Sequence, residues 1–368
     1  MNKFINIAKK SIFNITPYVP GKPIEEVERE YKIKNIIKLA SNENPLGPSK
    51  LAINAMKKKL KDVNLYPDSS VYYLRNALSK YLKIPENMLM FGNGSNEIEQ
   101  LIAEAFVNPG EEVLFSELSF VVYPIVTENV SGKAVIVPHR NFRHDIDGFI
   151  DRLSNKTKLV FLCNPNNPTG TIITKNEFKK FMSAVNSRTI VVLDEAYFEY
   201  ARCKDYPDGI RYLKEYPNLI VLRTFSKIYG LAGLRIGYGI ADKDIVNLID
   251  RVRPPFNVNL LAQIAAVAAL KDKTHMKNTI GINNAGKKFL YAAGIRFQQH
   301  LYRPLFNAVR KTPCFFEGHG KPVHVKTRVF FFCRFHKFPD IFRFQYEKQV
   351  YRIPRFRPAE KSKEFIHN

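Results

Sequence analysis

Lys227 and Arg235 stand eight residues apart in TFSKIYGLAGLRIGY (224–238), the first in a short polar turn, the second after small and apolar residues. Two surface cations chosen for solubility need no such surroundings. A lysine so placed offers an amine to a carbonyl carbon, and an arginine offers a fork to an anion. Taken alone, the stretch is equally an ordinary loop before a helix.

Three further motifs bear on the choice. FGNGSNEIE (91–99) reads as a glycine turn and a helix start, at which Ser95 and Asn96 present N–H groups and side chains to a phosphate. NPNNPTG (164–170) is a turn by composition and contains Asn167. DEAY (194–197) follows the apolar run IVVL, so Asp194 sits deep at a strand end. A carboxylate left unpaired there is costly, and it calls for a cationic or proton-bearing partner.

The elements that must position these residues are legible as an alternation. Helical spacing covers 22–37, 49–62 and 71–83, and from about residue 88 strands and helices alternate. EEVLFSELSF, KAVIVPH, TKLVFLC, RTIVVLD and NLIVLRT are short and nearly continuous in apolar residues, the pattern of strands buried on both faces. An α/β domain with a mostly parallel sheet follows. In such sheets ligands bind beyond the carboxyl ends of the strands, where Asn167, Asp194 and Lys227 all fall. Helices are predicted again at 242–251 and 257–272.

A chain of 368 residues is long enough for two domains. It has no run of about 18 apolar residues and no export signal, so no membrane span is predicted and the cytoplasm is the expected compartment. The four cysteines show no paired metal spacing and are too few for a disulfide scaffold, so neither a metal nor a disulfide is expected. The net charge of +23 suggests a polyanion, but its distribution argues otherwise. Residues 291–368 hold 16 Lys plus Arg against 5 Asp plus Glu, with 13 of the 28 phenylalanines, so the excess lies disproportionately in the tail. Nucleic acid is expected to bind only non-specifically, through that tail.

Pyridoxal phosphate answers the demands of all four motifs: an aldehyde for the amine, a ring nitrogen for the carboxylate, a phenolic oxygen and a phosphate. In LASNENPLGPS, NLYPDSSVYYLRNALSKYL, GNGSNE, NPNNPTG, DEAYFEY and TFSKIYGLAGLRIGYGI, in that order, the chain resembles the fold type I pyridoxal-phosphate aminotransferases and, within them, the histidinol-phosphate aminotransferases. The resemblance runs over about four fifths of the chain, to residue 291. It implies that Lys227 bonds the cofactor aldehyde and later moves the substrate proton, and that Asp194 pairs with the ring nitrogen. Tyr197 and Asn167 would hold the phenolic oxygen, while Ser95, Asn96, Thr224, Ser226 and Arg235 would form the phosphate cup. Phe120 would stack on the ring, although Leu118 stands where the family usually has proline. Tyr66 would reach the phosphate in the neighbouring subunit, implying a homodimer with shared sites, and Tyr18 and Asn44 would lie at the substrate mouth.

The activity so implied is transfer of the amino group between L-histidinol phosphate and 2-oxoglutarate, giving imidazole-acetol phosphate and glutamate, a step of histidine biosynthesis. A related enzyme acting on aromatic amino acids or threonine phosphate is the alternative, as is an impaired product with a polyanion-binding tail. The domain division expected is an N-terminal arm with part of a small domain (1–40), a large cofactor domain (41–275) and a C-terminal region (276–368). Beyond residue 291 the family's substrate-binding arginine and its strand are not recognisable. The abrupt change in Phe, His and charge there reads as translation out of frame, the competing reading being a lineage-specific domain that binds polyanions.

Overall fold

Valine, isoleucine and leucine concentrate in runs of four to seven residues, and in the computed structural model these runs pair edge to edge as one sheet. The structure describes residues 4–292 apart from 19, 20, 22, 33, 35, 37, 39 and 40. The strands are β1 Leu89–Gly92, β2 Glu112–Ser116, β3 Lys133–Val137, β4 His139–Arg140, β5 Arg143–His144, β6 Thr157–Cys163, β7 Ile190–Asp194, β8 Leu219–Thr224 and β9 Gly237–Ile240. The helices are α1 Ile24–Tyr31, α2 Lys50–Lys59, α3 Tyr72–Leu82, α4 Ser95–Phe106, α5 Val122–Asn129, α6 Ile146–Ile150, α7 Lys175–Ala184, α8 Lys243–Asp250, α9 Leu260–Lys271 and α10 Lys273–Ala292.

The seven-stranded sheet has the order β1-β9-β8-β7-β6-β2-β3. Only β9 runs against its neighbours; all other pairings are parallel. Every residue of β2, β7 and β8 is buried, as continuous apolar runs require when helices cover both faces. On one face Ile98, Leu101 and Ile102 of α4, Tyr123 and Val126 of α5, and Ile245 and Ile249 of α8 pack on Phe115, Phe161, Val192 and Leu222. The other face is covered by Leu74 and Leu78 of α3, Phe178 and Phe181 of α7 and the alanines of α9, over Val160, Val191, Leu193 and Val221. Ala262, Ala265, Ala266 and Ala269 leave α9 narrow enough to lie close against α2.

Local chemistry sets the helix ends. Ser49 and Asn259 accept hydrogen bonds from the N–H groups of Ala52 and Ala262, and Thr174 with Glu177 forms a reciprocal cap on α7. Each such cap contributes about 1 kcal/mol. The helix predicted over 22–37 is shorter than its spacing suggests: α1 stops at Tyr31 because Lys32 adopts φ 50°, a left-handed conformation that cannot continue the turn. The helix predicted from 257 starts at Leu260, after its Asn259 cap.

Register does the positioning. Cys163, Asp194 and Leu222 lie side by side at the carboxyl ends of β6, β7 and β8. The loops that follow these three strands therefore open on one edge. The expectations for residues 293–368 lie outside the described residues.

Candidate active site

Asp194, the last residue of β7, is 2% exposed and still fully engaged. The Tyr123 hydroxyl donates to its Oδ2 at 2.8 Å, and the Ala196 N–H donates to Oδ1 at 3.0 Å. Burial pushes this carboxyl above its usual range, while Tyr123, Ala196 and the charge of Lys227 pull it back. The proton-bearing partner expected for Asp194 is thus a tyrosine delivered by α5, with Lys227 as the neighbouring cation.

Lys227 follows β8 in a turn whose Ser226 N–H donates to Thr224 Oγ1 at 3.1 Å. The ammonium donates to the Ser41 carbonyl at 3.2 Å and lies 5.5 Å from the centroid of the Tyr197 ring. Burial, opposed by Glu43 and Asp194 and helped by Arg235, lowers Lys227 from 10.5 to about 8. An amine in that range is partly neutral near pH 7, as attack on an aldehyde requires.

The anion end is built by close backbone packing. Gly94, the cap of α4, has φ 82° and ψ 170°, and a Cβ there would overlap the Arg235 guanidinium. Gly237 lies so close that its Cβ would fall 2.5 Å from the Ser95 N–H nitrogen. Arg235 is thereby laid across the N-terminus of α4, which brings two positive features together. Its guanidinium donates only to the Ala232 carbonyl among the described residues, at 3.2 Å. An anion makes this arrangement favourable. Ser95, Thr224 and Ser226 are buried beside it and Asn96 is half-buried.

The loop after β6 is held by its other asparagines. Asn164 bonds both polar groups of Ile173, and Asn166 donates to Leu118 O and Thr169 Oγ1 and accepts from Ser119 Oγ. The Asn167 side chain makes no hydrogen bond among the described residues and is half-buried at the same edge. Phe120, in the Ser119 loop, meets Tyr123 edge to face at 5.8 Å.

Among the remaining residues, Tyr197 accepts from Asn42 Nδ2 at 2.8 Å, and burial pushes its phenol above the usual range. Asn44 serves its own segment: Nδ2 donates to Ile228 O and Thr279 Oγ1, and Oδ1 accepts from Leu46 N. Tyr18 is exposed and touches none of these groups; Tyr66 is 83% exposed and stacks on Phe256 at 4.7 Å. Asn42, Ser41, Tyr123 and Glu99 were not singled out by sequence. Only Asn42 and Ser41 carried a signal, as neighbours of the NENP turn.

The pieces fit pyridoxal phosphate: a low-titrating amine, a buried carboxylate in reach of its field, and an unpaired guanidinium at a helix start. Comparison with known proteins points the same way. The chain matches the family of aminotransferase class I and II over residues 34–293. It is 49% identical over 285 residues to a histidinol-phosphate aminotransferase of Moorella thermoacetica, covering 77% of this chain and 74% of that one. It is 48% identical over 283 residues to one of Caldicellulosiruptor saccharolyticus, covering 77% and 79%. The crystal structure of a histidinol-phosphate aminotransferase from Sinorhizobium meliloti in complex with pyridoxal-5'-phosphate superposes with a TM-score of 0.72, at 28% identity, over 80% of this chain and 78% of that one.

Proposed function

The chain belongs to the histidinol-phosphate aminotransferases within aminotransferase class I and II, and from that premise we propose that it uses pyridoxal phosphate to move an amino group from L-histidinol phosphate to 2-oxoglutarate. The products are imidazole-acetol phosphate and glutamate. The observation that carries this reading is the placement of Lys227, in the turn after β8, within the field of both Asp194 at the end of β7 and Arg235, which lies against the start of α4. When bound, the cofactor supplies an exchangeable aldehyde and a ring that stores the electron pair of the broken C–H bond.

The residues divide the work. Lys227, low-titrating and partly neutral, is the nucleophile and then the base that carries the substrate proton. Asp194 would hold the ring nitrogen, Tyr197 and Asn167 the phenolic oxygen, and Phe120 the ring face. Arg235, Ser95, Asn96, Thr224 and Ser226 would hold the phosphate. Tyr66, exposed on its stack with Phe256, suits a reach into a second copy, so the enzyme is read as a homodimer with shared sites. Tyr18 and Asn44 lie toward the substrate mouth, Asn44 as the clamp that ties its loop to Ile228 and α10.

Among the described residues no helix is long and apolar enough to cross a membrane, and we place the enzyme in the cytoplasm. Residues 1–40 are read as an N-terminal arm with part of a small domain, 41–275 as the cofactor domain and 276–368 as the C-terminal region. The family match stops at residue 293, which supports reading the stretch after residue 291 as out of frame. Mixing the full-length protein with pyridoxal phosphate and then L-histidinol phosphate tests the function. Loss of the lysine-bound absorption band, restored by 2-oxoglutarate, is expected; a band that ignores histidinol phosphate but responds to an aromatic amino acid contradicts the substrate assignment.

A further inference from the structure

Glu99 lies on α4, one turn after Ser95, with its side chain 0% exposed. Neither of its carboxyl oxygens has a hydrogen-bond partner among the described residues. Nothing in the phosphate cup or at the substrate mouth calls for an acid there. An ionised carboxylate without donors in an apolar setting is costly by several kcal/mol, so Glu99 needs a reason to be tolerated.

Its surroundings supply one. Burial pushes the Glu99 carboxyl well above its usual range, and the charge of Asp194 pushes it the same way. The other titratable groups that face it are Tyr123 on α5 and Cys163 on β6, both neutral in their ordinary state and pushed up by burial. Of the further elements packed on α4, β1 and β9 bring no charged side chain, and the charged residues of α8 (Lys243, Asp244, Asp250) are exposed. Arg223 of β8 is turned to Glu195 and Asp208, away from α4. Among the described residues, the cation acting on the pair is Lys227, and it acts on Asp194.

The two carboxyls are therefore unequal. Asp194 has two donors and a cation; Glu99 has none. We propose that Glu99 is a positioning residue of this site: the two acids form a buried pair sharing one negative charge, with the proton on Glu99 and the charge on Asp194. This rests on the reading of Asp194 as the partner of the cofactor's ring nitrogen. The asymmetry of donors keeps the charge on the carboxyl that would meet that nitrogen, and the proton on Glu99 prevents two anions from opposing each other in the buried pair.

The consequence has a definite sign. An acid whose folded proton affinity exceeds its unfolded one stabilises the chain at low pH, and that contribution is lost as pH rises past the ordinary carboxyl range. The test compares the full-length wild type with Glu99→Gln, which mimics the neutral acid, by urea unfolding from about pH 5 to about pH 8 without added cofactor. The wild-type unfolding constant is expected to rise, relative to the variant, by up to about tenfold per pH unit. In an Asp194→Asn background the same Glu99-dependent difference is expected to end at a lower pH, because the charge that helps to hold the proton is gone.

Coincident pH profiles for wild type and Glu99→Gln overturn the proposal. So does a difference that Asp194→Asn leaves unmoved, which would make burial alone the cause. Glu99→Met serves as a second non-titrating variant if the glutamine does not fold. Because the profiles are read without cofactor, a pair that titrates as expected in a chain that captures no pyridoxal phosphate would sink the functional reading and leave the pair standing.

Discussion

Raising the pH on a cofactor-free preparation is expected to switch on Lys227 well below the range of an ordinary lysine. Burial brings its amine to about 8, helped by Arg235 and opposed by Glu43 and Asp194. At about pH 7.5 roughly a quarter of the chains then carry the neutral amine, against about one in a thousand for an unshifted lysine, a gain of roughly two hundredfold in reactive nucleophile. The rate at which added pyridoxal phosphate develops its lysine-bound absorption band, followed by stopped flow, is expected to climb with pH through a midpoint near 8 and to level off above it. Glu43→Gln removes the carboxylate that favours the ammonium and is expected to move the midpoint down. A midpoint near 10.5, or one that moves up in Glu43→Gln, refutes the account of how the site tunes its nucleophile.

Tyr123→Phe leaves Asp194 with one donor, and loss of a hydrogen bond to a buried charge is expected to cost about 1.5–3 kcal/mol in urea unfolding and to weaken pyridoxal phosphate binding. Unchanged stability and affinity would exclude Tyr123 as the support of Asp194. Gly94→Ala forces a side chain into a conformation at φ 82° and ψ 170° that only glycine adopts readily, and sets it against Arg235. A strain of about 1–3 kcal/mol and an affinity for pyridoxal phosphate about tenfold or more weaker are expected in a binding titration. Glu195→Ala strands Arg223, which bonds Glu195 through two nitrogens at 2.9 and 2.8 Å in a fully buried pair. Asp208 is then the carboxylate that still bonds the guanidinium, and a loss of about 3–5 kcal/mol is expected by urea unfolding.

What the sequence revealed depended on how local the cause was. Asp194 and Lys227 were legible because each ends a run of buried apolar residues, and a polar residue at such a point must face something. The demand of Asp194 for a proton-bearing partner was legible as well, but its identity was not. Tyr123 reaches it from a helix 71 residues away, and only the packing of α5 on the sheet brings them together. Glu99 was hidden for the opposite reason: in NEIEQLIAEAF an acid beside other acids reads as the solvent face of a helix, yet its position on α4 turns it inward with Ile98 and Ile102. Asn42 and Ser41 escaped because loops have no periodicity to read. They meet Tyr197 and Lys227 by a fold that brings residues about 155 and 186 apart into hydrogen-bond range. The spacing of apolar residues past Tyr31 imitated a helix that the left-handed Lys32 ends.

Borohydride reduction of the pyridoxal-phosphate-treated full-length protein, followed by peptide mass spectrometry, tests the central claim most directly, since it fixes the cofactor on whichever lysine holds it. The cofactor mass on the peptide containing Lys227, and its disappearance in Lys227→Ala, is the result predicted. Label on another lysine, or on none, contradicts the account.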